Sequence, residues 1–368
     1  MKAFTNCTIY TGSEVLRDHV LLIEYDEIKA VVHASEIPSG VDIIDCKGCS
    51  VAPGLIDLQI YGGGGYLFSN RPSVEALHAM TNAVVRSGTT SFMLTLATNA
   101  MEVFREAIRI VKHNHLAPVL GLHLEGPYLN PEKRGAHILE YIKKPEPDEV
   151  QSLMAEGAGI VKMITLAPEL TDASIIDILN NHGVLISAGH SNATFEEAKK
   201  GFNHGIRAVT HLFNAMSPLH HRNTGLPGAA YQNQNICASI IADGIHVDYQ
   251  AVSISKKVMK ERLFLITDAV EENLEGAYVH IRHQDCFRLP DGTLSGSNLT
   301  LMQAVRNCVE HVHIPLDEAL RMASTYPAAL INANNIGKIE PGYKANLILF
   351  DHKLEVRDVY LNGKLVDQ

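Results

Sequence analysis

Between Gly54 and Gly126 short apolar runs alternate with longer amphipathic stretches: GLIDLQI (54–60), SVEALHAMTNAVVRSG (73–88), TSFMLTLAT (90–98), AMEVFREAIRIVKHNHLA (100–117) and VLGLHLEG (119–126). The short runs are typical of buried strands and the longer ones of helices. Five further apolar runs follow: VKMITLAPE (161–169), VLISAGH (184–190), AVTHLFN (208–214), ICASIIADG (236–244) and LFLITDA (263–269). Eight strands, mostly separated by helices, predict an α/β protein built on a parallel (β/α)₈ TIM-like barrel.

The two ends of the chain differ from this middle part. Residues 1–50 read as short alternating strands, and so does the tail from 336 to 368, where Asn362-Gly363 is a hairpin signal. We expect the two flanks to pair into one small β-sandwich domain, made of residues 1–50 and 336–368. The catalytic barrel would then occupy residues 51–335.

The composition narrows the class of protein. Of the 368 residues, 46% are hydrophobic and 20% are charged, as in ordinary globular enzymes. The formal net charge of −10 argues against a nucleic-acid partner, which needs a basic surface. No run approaches the roughly 18 apolar residues of a membrane span, and the N-terminus lacks the apolar core of a signal peptide. We therefore expect a cytoplasmic protein without a membrane partner, whose six scattered cysteines are free thiols.

Ionisable side chains fall at the ends of four predicted strands. In VLGLHLEG the leucines share one face, while His123 and Glu125 lie on the other. His190, His211 and Asp268 end strands five, six and eight. Because barrel enzymes carry their chemistry at the C-terminal ends of the strands, we expect Glu125, His190, His211 and Asp268 to converge on one rim.

A metal centre is the simplest chemistry for this set. A single histidine after a strand is usually structural, but four such groups at corresponding strand ends are not expected by chance. One glutamate and two histidines form a three-ligand shell that leaves a fourth position open for water. The sequence therefore predicts one divalent metal held by Glu125, His190 and His211. Gln59 stands on strand one where ligands of a second metal would be expected.

Several motifs together resemble the N-acetylglucosamine-6-phosphate deacetylase family of the amidohydrolase superfamily. They are HLEGPY (123–128), RGAH (134–137), GHSNAT (189–194), THLFNAMSPLHHR (210–222), ADGIHVD (242–248), ITDA (266–269) and TLSGSNLTL (293–301). The resemblance runs from PGLID on strand one to the tail GYKANLILFD, and HLEGP, GHSNA and HLFNAMS in this order are its most specific part. Some family members carry His-x-His on strand one and bind two metals. The Gln59-Ile60-Tyr61 sequence places this chain in the one-metal branch.

The resemblance implies a role for each matching residue. Glu125, His190 and His211 would bind the metal, in agreement with their positions at strand ends, and Asp268 would accept and donate the proton. Contacts to the sugar or its acetamide would come from Ala136, His137, His246, Leu294, Ser295 and Gly296. The 6-phosphate would be held by Asn214, Ala215 and Arg222, with Arg222 reaching the site of its own or of a neighbouring subunit in a homodimer or higher homo-oligomer.

The implied reaction is hydrolysis of N-acetyl-D-glucosamine 6-phosphate to D-glucosamine 6-phosphate and acetate, in amino-sugar catabolism. The alternatives are a related amidohydrolase acting on another N-acylated amino-sugar phosphate or on a cyclic amide, and a non-catalytic sugar-phosphate sensor. Zn²⁺ is the expected metal, but Fe²⁺ and Mn²⁺ accept the same ligands. Either His137 or His246 could stabilise the developing oxyanion.

Overall fold

The computed structural model describes residues 1–367, which group into two compact units. The first unit comprises residues 1–57, 83–91 and the chain from residue 300 onward, and the second comprises residues 58–82 and 92–299. The predicted division into residues 1–50 with 336–368 and residues 51–335 stays a prediction. In the described part of the chain, no helix combines the length and apolar character needed to cross a membrane.

The first unit contains two sheets built from both ends of the chain. Their strands are β1 (Lys2–Thr5), β2 (Thr8–Tyr10), β3 (Val15–Leu16), β4 (His19–Glu24), β5 (Glu27–His33), β6 (Asp42–Asp45), β7 (Ser50–Pro53), β21 (Leu347–Phe350), β22 (Val356–Leu361) and β23 (Lys364–Leu365). One sheet has the order β5-β4-β1-β6, and the other has the order β23-β22-β21-β7-β2-β3. The N- and C-terminal flanks therefore pair, as the sequence predicts.

A single apolar core lies between these two sheets. Phe4 and Leu21 of the first sheet belong to the same buried cluster as Val51 and Leu347 of the second. Ala3, the neighbour of Phe4, is buried in a separate cluster on the other face of its sheet. This alternation follows from the two-residue period of a strand, and it makes the pair of sheets a sandwich.

Eight further strands form the parallel sheet of a barrel, which confirms the predicted fold class. The strands are β8 (Leu55–Ile60), β11 (Thr89–Ala97), β12 (Val119–Glu125), β13 (Val161–Leu166), β14 (Leu185–Ala188), β15 (Ala208–Val209), β16 (Cys237–Ile240) and β17 (Leu263–Leu265), in sequential order. An isolated parallel bridge between Ile60 and Ala269 joins the first strand to the segment after the last. The sheet is thus nearly closed. Every residue of β8 and β11 is buried, as expected for strands covered on both faces.

Helices follow most barrel strands. They are α1 (Val74–Arg86), α2 (Met101–His113), α3 (Pro147–Glu156), α4 (Ala173–Asn181), α5 (Phe195–Asn203), α6 (Gly225–Gln232), α7 (Tyr249–Met259), α8 (Leu301–Glu310), α9 (Leu316–Met322) and α10 (Thr325–Leu330). Helix α5 begins with the capping box that its sequence predicts, in which Thr194 and Glu197 satisfy each other's backbone N–H groups. Two small sheets complete the fold: the hairpin β9 (Gly62–Gly63) and β10 (Tyr66–Leu67), and the three strands β18 (Ile281–His283), β19 (Cys286–Arg288) and β20 (Leu294–Ser297).

A chain of buried polar side chains crosses the barrel interior below the strand ends. His123 Nδ1 lies 3.0 Å from the carbonyl oxygen of Leu58, and its Nε2 lies 2.8 Å from Thr165 Oγ1. Thr165 in turn contacts Thr210, which contacts Ser187. Burial lowers the pKa of His123 to about 3, so the ring is neutral at physiological pH. Both ring nitrogens are used in hydrogen bonds, so His123 is a buried structural residue rather than a ligand.

Candidate active site

The strand ends bring the four predicted chemical groups together. Glu125 is the last residue of β12, and His190, His211 and Asp268 follow β14, β15 and β17 within three residues. The last three have φ angles of 47°, 33° and 53°, in the left-handed region. Such a conformation costs a non-glycine residue about 1–2 kcal/mol and is typical of functional sites. Here it turns each side chain out of its strand direction at the rim of the barrel.

The Glu125 carboxylate lies opposite two imidazole nitrogens. His211 Nε2 is 3.1 Å and His190 Nε2 is 3.4 Å from Glu125 Oε1, and the two nitrogens are 3.0 Å apart. All three side chains are buried. Three ligand-type atoms from three different strand ends therefore point at one position.

The tautomer of His190 fits a metal ligand. Its Nδ1 lies 2.9 Å from the carbonyl oxygen of Lys133, which can only accept, so Nδ1 carries the proton. His190 Nε2 is left with a lone pair directed at Glu125 Oε1 and His211 Nε2. A ligating histidine whose other nitrogen donates to a carbonyl is the usual arrangement in metal sites. A carboxylate and two imidazoles thus fit one divalent cation.

A third histidine, His137, lies against the same carboxylate. Ligand-type atoms of Glu125, His137 and His190 lie within 4.8 Å of one another, so these three could also be considered a metal set. However, the backbone N–H of Thr98 donates to His137 Nδ1 at 3.1 Å, which places the proton of the neutral ring on Nε2. His137 Nε2 then donates to Glu125 Oε2 at 3.1 Å. Because its lone pair is used on Nδ1, we infer that His137 orients Glu125 and does not bind the metal.

This difference in tautomer gives a spectroscopic prediction. X-ray absorption of the metal-loaded protein should show two imidazole ligands in the natural protein. The count should stay at two in His137→Ala and fall to one in His190→Ala. Metal affinity in His137→Ala should fall by about 10- to 100-fold, as is usual when a residue that orients a ligand is removed. Three imidazoles in the natural protein, or a loss of one in His137→Ala, would show that His137 is a ligand.

The protonation of the three proposed ligands is set by their contacts. Burial alone would raise the pKa of Glu125, but His190 and the hydrogen bonds from the surrounding histidines hold it well below its usual range. Burial and the neighbouring His137 lower the pKa of His190 to about 4. Burial opposes protonation of His211 too, yet its hydrogen bond to Glu125 raises its pKa overall. An ionised Glu125 and a neutral His190 are the forms that a metal needs.

Asp268 lies beside the ligand set and is linked to it by Gln59. Gln59 Nε2 is 3.0 Å from Glu125 Oε1 and 2.7 Å from Asp268 Oδ1. Burial raises the pKa of Asp268, an effect that the nearby His211 partly offsets. A carboxylate with a raised pKa next to a metal site has the properties of a general base.

These groups open into one cavity of about 340 Å³. Twelve of the thirteen predicted site residues line it: Glu125, Ala136, His137, His190, His211, Asn214, Ala215, His246, Asp268, Leu294, Ser295 and Gly296. Among the described residues, Arg222 is the predicted contact that does not line the cavity. Its side chain is exposed, and its Nε donates to His221 Nε2 at 3.1 Å.

Strand β20 forms the wall next to Asp268. Gly296 has a φ of 131°, and a Cβ at this position would lie 2.6 Å from Val270 Cγ1 and 3.2 Å from the Asp268 carbonyl oxygen. A larger residue would therefore push directly against the segment that carries Asp268. Ser295, next to it, lies 2.9 Å from His280 Nδ1 through its Oγ. Ser295 of this strand and its partner His280 both line the cavity.

Several residues that line or order the cavity were not predicted from the sequence. Asp243 Oδ2 lies 2.5 Å from His246 Nδ1, which fixes the His246 ring with its Nε2 free. The three-residue spacing in DGIH was the available signal, since it permits a turn that joins the two side chains. Lys133, Tyr278 and His280 also line the cavity, and nothing in their local sequence indicated it.

Glu169, which follows strand β13, has a loop role. Its two carboxylate oxygens accept from the backbone N–H of Asn192 at 2.6 Å, from Ser191 Oγ at 2.6 Å and from Asn130 Nδ2 at 2.9 Å. These contacts hold the loop that follows His190.

Comparison with known proteins gives consistent matches over almost the whole chain. The amidohydrolase family model matches residues 50–366, and the NagA composite domain model matches residues 1–51. The N-acetylglucosamine-6-phosphate deacetylase of Haemophilus influenzae is 37% identical, with 98% of each chain covered. An N-acetylgalactosamine-6-phosphate deacetylase of Escherichia coli O157:H7 is 32% identical, with 95% of each chain covered.

Two solved structures have the same fold throughout. The N-acetylglucosamine-6-phosphate deacetylase of Pasteurella multocida matches with a TM-score of 0.95 and 36% identity, covering all of both chains. A Mycobacterium smegmatis deacetylase mutant in complex with N-acetyl-D-glucosamine-6-phosphate matches with a TM-score of 0.92 and 29% identity. That match covers 100% of this chain and 99% of the other.

Proposed function

Since the chain belongs to the amidohydrolase family, we propose that it hydrolyses N-acetyl-D-glucosamine 6-phosphate to D-glucosamine 6-phosphate and acetate. The observation that carries this proposal is the single cavity in which Glu125, His190 and His211 lie beside Asp268. The deacetylases of Haemophilus influenzae and Pasteurella multocida, both similar over nearly their whole length, support the choice of substrate. The chain is accordingly a metal-dependent hydrolase.

The contacts in the cavity suggest a role for each residue in the proposed reaction. Glu125, His190 and His211 would hold the divalent metal, which when bound would supply a water with a pKa lowered toward 7 and a Lewis acid for the substrate carbonyl. Asp268 takes the proton of the attacking water and passes it to the sugar nitrogen, so that the C–N bond breaks with a neutral amine leaving. Gln59 holds the Asp268 carboxylate at 2.7 Å and keeps it next to Glu125.

The oxyanion donor is best assigned to His246. His137 already uses its Nε2–H on Glu125, whereas Asp243 holds His246 by Nδ1 and leaves Nε2 facing the cavity. From this position the His246 ring, held by Asp243, would stabilise the developing negative charge. His137, Ala136 and the β20 residues would then bound the sugar and its acetamide.

Zinc is our proposal for the metal. Two imidazoles and one carboxylate with an open fourth position are the ligand set of many catalytic zinc sites. Fe²⁺ and Mn²⁺ bind the same donors. Metal analysis of protein purified without added metal, followed by reconstitution of the apoprotein with each ion, would distinguish the three. A cytoplasmic location stays a prediction.

A second substrate is favoured by one of the relatives. The Escherichia coli O157:H7 homologue is an N-acetylgalactosamine-6-phosphate deacetylase. Its substrate differs from N-acetylglucosamine 6-phosphate in the configuration of one hydroxyl group. The test is to compare kcat/KM for the two epimers on one metal-loaded sample, with release of acetate and of amine measured in parallel. A clear preference for the gluco epimer supports the first proposal. A preference for the galacto epimer would replace it.

Arg222 is proposed to reach the 6-phosphate of a neighbouring subunit in a homodimer. Arg222 is exposed and does not line the cavity of its own chain, which supports a role across an interface. We expect Arg222→Ala to lower kcat/KM for the phosphorylated sugar by about 10- to 100-fold, corresponding to the roughly 1.5–3 kcal/mol of a charged hydrogen bond. Turnover of unphosphorylated N-acetylglucosamine should not change.

The matched control is Lys133→Ala, which removes a cation that lines the same cavity from within the chain. If this variant loses the preference for the phosphorylated sugar while Arg222→Ala keeps it, the phosphate is held by Lys133 and the proposed role of Arg222 is wrong. Sedimentation of the natural protein gives the oligomeric state independently.

A further inference from the structure

Two polar residues, Gln59 and Tyr61, lie at the end of strand β8. The proposed reaction gives Tyr61 no role. Gln59 and Tyr61 are two residues apart, so they point to the same side of the strand. In this chain both side chains are buried and are directed at Glu125.

The Tyr61 hydroxyl donates to Glu125 Oε2 and accepts from Gln59 Nε2, which is 3.2 Å away. His137 Nε2 donates to the same carboxylate oxygen. Glu125 Oε1, in contrast, is the oxygen closest to the two imidazole nitrogens of His190 and His211. Glu125 Oε2 is therefore held by Tyr61 and His137, while Oε1 faces the ligand nitrogens and also accepts from Gln59 Nε2.

The position of the hydroxyl is fixed by the packing of the Tyr61 ring. Tyr61 is 6% exposed and belongs to a buried apolar cluster with Leu67, Ala97, Val270, Tyr278 and Phe287. Ala97 is the register partner of Glu125 in the neighbouring strand. The ring thus cannot move away from Glu125 without opening this cluster, and it fills space beside the carboxylate.

We propose that Tyr61 is a positioning residue: its hydroxyl holds Oε2 of Glu125, so that Oε1 is the oxygen offered to the metal. The inference rests on the metal-dependent function proposed above. With Tyr61 and His137 both donating to Oε2, the Glu125 carboxylate keeps a fixed orientation.

The test is the metal affinity of Tyr61→Phe, which removes the hydroxyl and keeps the ring. Competition with a chelator should show an affinity lower by about 10- to 100-fold, the usual loss when a group orienting a ligand is removed. The visible spectrum of the cobalt(II)-loaded variant should also differ from that of the natural protein. The melting temperature of the metal-free protein should not change.

Tyr128→Phe is the matched control. Tyr128 is also buried, and its hydroxyl donates to a carboxylate, that of Glu149, at 3.0 Å. This variant should keep the natural metal affinity and cobalt spectrum. If Tyr61→Phe has the natural affinity and spectrum too, the proposal is overturned.

The variant Leu67→Ala distinguishes the loss of the Tyr61 hydroxyl from a change in packing alone. This substitution loosens the same apolar cluster and leaves the hydrogen bonds of Glu125 in place. If Leu67→Ala reproduces both the affinity loss and the spectral change of Tyr61→Phe, the hydroxyl has no positioning role. None of these measurements needs turnover. Tight metal binding without deacetylation would overturn the proposed reaction and leave the role of Tyr61 testable, whereas a natural protein that binds no metal would overturn both.

Discussion

Replacing Asp268 by asparagine is expected to lower kcat for acetate release by roughly 10²- to 10⁴-fold, the contribution typical of a positioned acid–base group. Asparagine has nearly the shape of aspartate but cannot take a proton from the attacking water. Gln59 Nε2 can donate to the asparagine carbonyl as it does to Asp268 Oδ1, so the cavity should keep its form. The measurement is kcat together with the metal content of the same sample, which should remain near one ion per chain.

The control for this variant is Asp172→Asn, an exposed aspartate just before helix α4. It carries the same change of charge and should keep full activity. An Asp268→Asn protein with natural kcat would show that the proton is carried by another group. Loss of metal from Asp268→Asn would instead place Asp268 among the ligands.

The pH dependence of kcat/KM tests the role of Asp268 as a general base independently. Burial raises its pKa, and only the ionised form can accept a proton. The kcat/KM of the natural protein should therefore fall as the pH falls through this raised pKa. The residual activity of Asp268→Asn should lack this acidic limb.

Replacing His190 by alanine is expected to lower metal affinity by more than roughly 100-fold. Removing a residue that only orients a ligand already costs 10- to 100-fold, and His190 is proposed to be a ligand itself. Turnover should fall with metal occupancy. The rise in melting temperature that added metal gives the natural protein should also disappear, because that rise depends on the ratio of metal concentration to Kd.

His113→Ala provides the comparison, since His113 is an exposed histidine in the last turn of helix α2. Its metal content, activity and metal-dependent melting temperature should match those of the natural protein. A His190→Ala protein that still binds one metal tightly would contradict the assignment of Glu125, His190 and His211.

The strand ends could be predicted from the sequence because they depend on local pattern. Apolar runs define the strands, and the parallel barrel then brings their C-terminal ends to one rim. Glu125, His190, His211 and Asp268 follow from this reasoning alone. The left-handed backbone of the last three residues was not predicted, because it reflects how each strand turns into its loop.

The roles of the histidines required three-dimensional contacts. His137 and His190 are chemically identical in the sequence. They differ because a backbone N–H of Thr98 faces Nδ1 of the first, while a carbonyl oxygen of Lys133 faces Nδ1 of the second. These partners lie 39 and 57 residues away along the chain, so no local pattern indicates which ring nitrogen keeps its lone pair.

The contacts of Gln59 and Tyr61 with Glu125 also could not be predicted from the sequence. The sequence indicates that histidines are missing at the end of strand one, and it predicts a single metal. It does not show that the replacing side chains both reach Glu125, which lies 66 residues from Gln59 and 64 from Tyr61. The position of Arg222 was equally hidden, because an exposed loop carries no periodic signal.

The decisive measurement is acetate release from N-acetyl-D-glucosamine 6-phosphate, with the metal content determined on the same protein sample. We expect about one metal per chain and a kcat/KM within the usual enzymatic range of about 10⁴–10⁸ M⁻¹s⁻¹. Unphosphorylated N-acetylglucosamine should react far more slowly. A protein that carries its metal and releases no acetate from the phosphorylated sugar would show that the proposed reaction is wrong.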